Sequence, residues 1–135
     1  MRDTLPIVVA AGFPLGDALG MTIEVEGPGR SRTALDLSPS LLNPHGAIHG
    51  AVLFALVDTG MGAATMSVLE PNELCATIEL HLRFLKPTRQ GRLVADSTVV
   101  HKGRRVVQLE SKVVANDGTL VATATASFAV FIKAM

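Results

Sequence analysis

The sequence predicts an α+β domain in which one antiparallel sheet of about five to six strands wraps around one central helix. Three observations carry that expectation. Residues 51–57 read AVLFALV, and a helix that is hydrophobic all round is a buried one. From residue 76 to residue 132 apolar and polar residues alternate instead, as they do in half-buried strands. The alternating runs are separated by short turn signals, Pro87 to Gly91, Lys102-Gly103-Arg104 and Asn116-Asp117-Gly118, so consecutive strands are expected to form a meander.

At 135 residues the chain is read as a single domain, 1–135, long enough for a real core. Twelve basic and twelve acidic residues give no net charge, which argues against bulk nucleic-acid binding. One cysteine, Cys75, leaves no internal disulfide and fits a reducing cytosol, so a cytoplasmic location is expected. Hydrophobic residues make up 48% of a chain without Trp or Tyr, and self-association is the expected way to cover that surface.

In chain order, Leu5 to Leu15 is apolar apart from Gly12 and follows Arg2. Asp3 precedes the run, Pro6 and Pro14 interrupt it, and no small-x-small cleavage site follows, so a short helix or loop is expected rather than a signal peptide. No run reaches the eighteen or so apolar residues of a membrane-spanning helix. Met21 to Glu26 alternates, Gly27-Pro28-Gly29 turns, and Arg30 to Leu37 returns, which makes a hairpin. Ser38-Pro39-Ser40 leads to the loop before the central helix, and Glu70 to Glu73 breaks the pattern after it. Ala76 to Lys86 then places Ile78, Leu80, Leu82 and Phe84 on one face and Thr77, Glu79, His81 and Arg83 on the other. Leu93 to His101, Arg105 to Ala115 and Leu120 to Ile132 complete the sheet.

The chemistry concentrates in residues 43–65, NPHGAIHGAVLFALVDTGMGAAT. Asp58 follows directly on the apolar run, where a lone carboxylate is costly unless paired or hydrogen-bonded. Gly50 stands where loop becomes helix, and backbone N–H groups there have no intrahelical partner. Such groups suit an anion or a developing oxyanion. An oxyanion site, a carboxylate and the Asn43 amide together suggest acyl transfer. The plainer alternative makes Asn43 a turn residue, His49 a helix-cap or core histidine, and Asp58 a carboxylate satisfied by a hydroxyl such as Thr59. The four histidines and one cysteine lack the close spacing of a zinc site.

Asn43, His49-Gly50 and Asp58, at steps of six and nine residues, resemble the N…HGG…D signature of the PaaI-type hotdog-fold acyl-CoA thioesterases. The resemblance extends from about Phe13 to Phe131 and includes Leu19-Gly20-Met21, Phe84-Leu85-Lys86-Pro87 and Gly103-Arg104. Ala51 departs from it, standing where the family usually has its second glycine. The resemblance implies hydrolysis of an acyl-CoA to free acid and CoA, without metal or redox cofactor, coenzyme A being part of the substrate. It implies a homodimer with sheets paired edge to edge as the minimal active unit, and a homotetramer built from two of them. Gly50 N–H would polarise the thioester carbonyl, while Asp58 from the partner subunit acts as general base or nucleophile. Asn43 and Thr77 would position water or carboxylate, and His49 would orient the loop. The basic turn Lys102, Gly103, Arg104 and Arg105 would hold the CoA phosphates, where charge-assisted hydrogen bonds are strong. Phe54, Met61 and Thr65 are read as lining a pocket for an aromatic or medium-chain acyl group. Two other classes stay open: a hotdog enoyl-CoA hydratase or dehydratase, which would place His beside aromatic and Pro residues, and a non-catalytic acyl-CoA-binding protein, which would tend to lack the acid.

Overall fold

Seven strands form one antiparallel sheet in the computed structural model, which describes residues 7–10 and 12–134. They are β1 (Ile7–Ala10), β2 (Thr22–Gly27), β3 (Arg30–Asp36), β4 (Glu73–Phe84), β5 (Arg92–Lys102), β6 (Val106–Ala115) and β7 (Leu120–Ile132). A short helix α1 (Pro14–Ala18) precedes β2, and the long helix α2 (Gly50–Met66) lies between β3 and β4. The order across the sheet is β1-β2-β3-β5-β6-β7-β4.

Two expectations are corrected by this order. The sheet has seven strands rather than five or six, because Ile7–Ala10 pairs with β2 where only a helix or loop was expected. The residues before Ile7, on which the signal-peptide reading partly rests, lie outside the described residues. Nor does β4 belong to the meander. β5, β6 and β7 are joined by tight turns and pair in sequence, but β4 pairs with β7 at the far edge and β5 pairs with β3. The reason is the helix: α2 follows β3 in the chain, packs across one face of the sheet and delivers the chain to the opposite edge. There the thirteen-residue β7 offers a partner matched to the twelve residues of β4.

The turns follow their residues. Gly29 takes φ +75° in the β2–β3 turn, a conformation open to glycine at no steric cost. Gly103 closes the β5–β6 turn by donating its N–H to Val106 O at 2.9 Å, and a Cβ there would stand 2.7 Å from that same carbonyl.

Helix α2 buries Leu53, Leu56, Val57, Met61 and Ala64 completely against Leu93, Ala95, Val107, Val113 and Ala122 of the sheet. Gly60 lets the helix come close: Ser31 Oγ donates to Gly60 O and Thr33 Oγ1 donates to Leu56 O. The helix nevertheless has an open side, against the expectation of complete burial. Ala51 and Phe54 are exposed, Phe54 by 43%, and Ala55 and Asp58 are half-buried along the same stripe. An apolar residue at every helical position identifies the helix but does not say which side the sheet of its own chain covers.

Strand β4 carries a β-bulge between Thr77 and Glu79. The bulge reverses the expected faces of Thr77 and Ile78. Cys75 and Thr77 on one side of it, and Leu80 and Leu82 on the other, all turn toward α2, opposite Val130, Phe128, Ala126 and Ala124. Ile78 is the extra residue and points out, 55% exposed. Bulges re-aim side chains in this way and are frequent beside active sites.

Candidate active site

The loop before α2 is shaped by Asn43. Its Oδ1 accepts from His45 N at 2.9 Å and Ala47 N at 3.1 Å, and its own N–H donates to Ala47 O. Asn43 is therefore a turn residue, as the plainer reading had it, and it also borders a hollow with Gly50. The loop is pinned to the rest of the chain by His49 N to Leu41 O at 2.9 Å, Ile48 N to Thr88 O at 2.8 Å and Arg89 Nη1 to His45 O at 2.8 Å. His49 Nδ1 accepts from Ala51 N at 3.0 Å, so His49 is the N-cap of α2. Ala51, the departure from the family pattern, is exposed and contributes that N–H, so its methyl meets open space rather than a crowded backbone.

Gly50 opens the first turn of α2, and its N–H has no partner among the described residues. A Cβ at this position would stand 3.2 Å from Cζ of Phe84. Gly50, Asn43, Leu53, Phe84 and Lys86 line a hollow of about 410 Å³. In the sequence Phe84 and Lys86 stand out only as strand and motif residues. The signal that could have found them is the apolar pair Phe84-Leu85 continuing past the strand into a Lys-Pro turn, where both side chains are exposed.

Asp58 lies eight residues further along α2, a rise of about 12 Å. Its Oδ1 accepts a 2.6 Å hydrogen bond from Thr77 Oγ1, not from Thr59. The bulge in β4 supplies that hydroxyl. The structure thus forms two groups: Asn43, His49 and Gly50 with Phe84 at one end of β4, and Asp58 with Thr77 nearer the other. Phe54 shares the open stripe of α2 with Asp58, whereas Met61 and Thr65 are fully buried in the core, away from the hollow.

Cys75, two residues from Thr77, has its thiol pushed up by burial and, to a lesser extent, by the nearby Asp58 carboxylate. Thiolate is the reactive form, so alkylation of Cys75 at pH 8 is expected to be slow. Replacing Asp58 with Asn removes the charge that opposes ionisation and is expected to speed the reaction with iodoacetamide. Equal rates in the two proteins would show that the groups do not sense each other.

The basic turn lies at the Asp58 end of the sheet. Arg105 O accepts from Val130 N at 2.8 Å, and Val130 pairs with Cys75. Lys102, Arg104 and Arg105 are exposed, and the two arginines line a hollow of about 410 Å³ with Glu73 and Phe131. No helix among the described residues is long and apolar enough to cross a membrane.

Comparison with known proteins gives a concordant result. Residues 45–122 match the family described as the Thioesterase superfamily. A Deinococcus radiodurans protein is 38% identical over 65% of this chain and 58% of its own length. A Halobacterium salinarum protein is 34% identical over 84% of this chain and 82% of its own length. Each is described as a "Putative esterase". Among solved structures, the PaaI protein from the phenylacetic acid degradation operon of E. coli is similar with a TM-score of 0.82 at 23% identity, over 89% of this chain and 86% of that one. At that identity the likeness concerns the fold.

Proposed function

The chain belongs to the thioesterase superfamily, which makes it a thioester hydrolase, and from that premise we propose that it hydrolyses an aromatic or medium-chain acyl-CoA to the free acid and CoA. The observation that carries the reading is the Thr77–Asp58 hydrogen bond at 2.6 Å on the open side of α2, a carboxylate held in place with one oxygen unengaged by any other described group. A general base or nucleophile needs such support from its neighbours. Gly50 N–H, without a partner among the described residues at the start of the same helix, supplies the donor for the oxyanion.

In the general-base form, Asp58 takes a proton from water as the water oxygen attacks the thioester carbonyl. Negative charge collects on the carbonyl oxygen at Gly50 N–H. Collapse breaks the C–S bond, and the departing thiolate recovers a proton as CoA thiol. In the nucleophilic form, Asp58 attacks first and expels the CoA thiolate, which takes up a proton, and water then cleaves the resulting anhydride to the free acid and the restored Asp58 carboxylate. Asn43 holds the loop that presents Gly50, and His49 caps the helix behind it.

About 12 Å of helix between Gly50 and Asp58 is too far for both to serve one carbonyl. The reading therefore places the reaction between two subunits, Gly50 from one protomer and Asp58 from its partner. Strand β4 supports this: it is the edge strand, twelve residues long, with exposed Ile78 and an outer edge that pairs with no described strand. An open edge of that length is a template for another strand. Two such dimers would make the homotetramer, and a cytoplasmic location fits the single thiol. Arg104 and Arg105 are suited to the CoA phosphates, with Lys102 beside them and Gly103 fixing the turn. The test is thiol release from a panel of aromatic and aliphatic acyl-CoA thioesters. Turnover of at least one supports the reading; a folded protein that binds CoA and hydrolyses none would make it a binding module.

A further inference from the structure

Phe84 stands out on the inner side of β4. Its strand partner Ala122 is fully buried, yet Phe84 itself is 59% exposed. The distal atoms of its ring, Cζ and Cε1, lie 3.2 and 3.5 Å from the place a Cβ on Gly50 would occupy. The tip of the ring therefore abuts the glycine whose N–H has no partner among the described residues, and the ring lines the hollow shared with Asn43, Leu53 and Lys86.

We propose that Phe84 is a specificity-determining residue, the wall on which the acyl group of the substrate lies, and that it favours flat aromatic acyl groups over straight chains. The inference rests on the thioester-hydrolase reading of the same site. A carbonyl oxygen bound at Gly50 N–H leaves its acyl substituent within about a ring's width of Phe84. An exposed aromatic face beside an apolar wall is best covered by another ring, because offset or edge-to-face pairs gain more than their buried area alone provides. Leu53 supplies the apolar wall, and Lys86 lines the same hollow.

The experiment compares kcat/KM for phenylacetyl-CoA and octanoyl-CoA in wild type, Phe84→Leu and Phe84→Ala, with melting temperature and oligomeric state measured on each protein. Leucine keeps apolar area and loses the ring, so the aromatic-to-aliphatic ratio is expected to fall about three- to tenfold in Phe84→Leu. Phe84→Ala is expected to move the ratio the same way. A ratio within about twofold of wild type in the folded leucine variant overturns the proposal, and if the variant also loses its oligomeric state, Phe84 belongs to the subunit interface instead. Wild type inactive on every thioester would instead overturn the hydrolase reading, and the specificity proposal with it, whereas an active wild type with an unmoved ratio overturns the specificity proposal alone.

Discussion

Asp58→Asn is expected to lower kcat/KM for acyl-CoA hydrolysis by at least about a hundredfold, the usual contribution of a positioned general base. The variant keeps the shape of the side chain, and Thr77 Oγ1 can still donate to the amide oxygen as it does to Oδ1 at 2.6 Å. Folding should therefore survive, and a melting temperature close to wild type separates lost chemistry from lost structure. The two roles open to Asp58 predict different isotope outcomes. In a single turnover in oxygen-18 water, label in the Asp58 carboxylate marks an anhydride opened at the Asp58 carbonyl, whereas a general base puts the label into the product acid alone. Thr77→Val tests the support: it removes the hydroxyl, leaves the carboxylate, and is expected to reduce activity less than Asp58→Asn. Full activity in Asp58→Asn would leave the enzyme class standing and reject this residue as its catalytic acid or base.

The second large effect concerns stability. Gly60→Val is expected to cost roughly 3 kcal/mol, the upper range for overpacking a well-filled core, and to lower the melting temperature by about ten degrees. A Cβ at Gly60 would stand 2.9 Å from both Ser97 Oγ and Thr33 Oγ1, and these hydroxyls are buried. Accommodating a branched side chain means lifting α2 from the sheet. That would break the Ser31 and Thr33 hydrogen bonds to Gly60 O and Leu56 O and leave buried acceptors with poorer partners. Gly62→Ala serves as the contrast two residues away. Its Cβ would meet only the Phe128 ring, at an ordinary 3.7 Å, so the gain in helix propensity of about 0.5–1 kcal/mol should appear as stabilisation. Thermal melts of the two variants with opposite signs would establish that α2 contacts the sheet through Gly60. Equal small effects would mean that the helix is free to shift.

Much of this was legible in the residues alone. The apolar run from Ala51 to Val57 marks the helix, the alternation marks the strands, and the HG…D spacing marks the loop and the acid. What the residues do not reveal is long-range. Tight turns place β5, β6 and β7 side by side, but nothing local in β4 says that its partner is β7 rather than β5. The bulge is equally hidden: simple alternation puts Thr77 and Ile78 on the wrong faces, since register is set by pairing with β7 and not by the strand's own pattern. Met61 was placed in a pocket because apolar residues on a helix look alike in sequence, whichever side the sheet takes. Phe84 was missed for the converse reason, as its exposure follows from the end of the strand and not from its residue type.

The extra residue at Ile78 makes β4 a strand with two phases. Before it the odd-numbered side chains, Cys75 and Thr77, face the helix; after it the even-numbered ones, Leu80 and Leu82, do. One strand thus serves polar and apolar neighbours without interrupting its ladder for more than a single position. The pairing of this strand is consequently set by chemistry as well as by packing. Were Ile78 paired as an ordinary ladder residue, Thr77 and the leucines would fall on opposite faces, and either the hydroxyl would leave Asp58 or the leucines would leave the core. It is the unpaired position of Ile78, rather than the residue count of β4, that lets the hydroxyl stay beside the acid it holds while the leucines stay in the core.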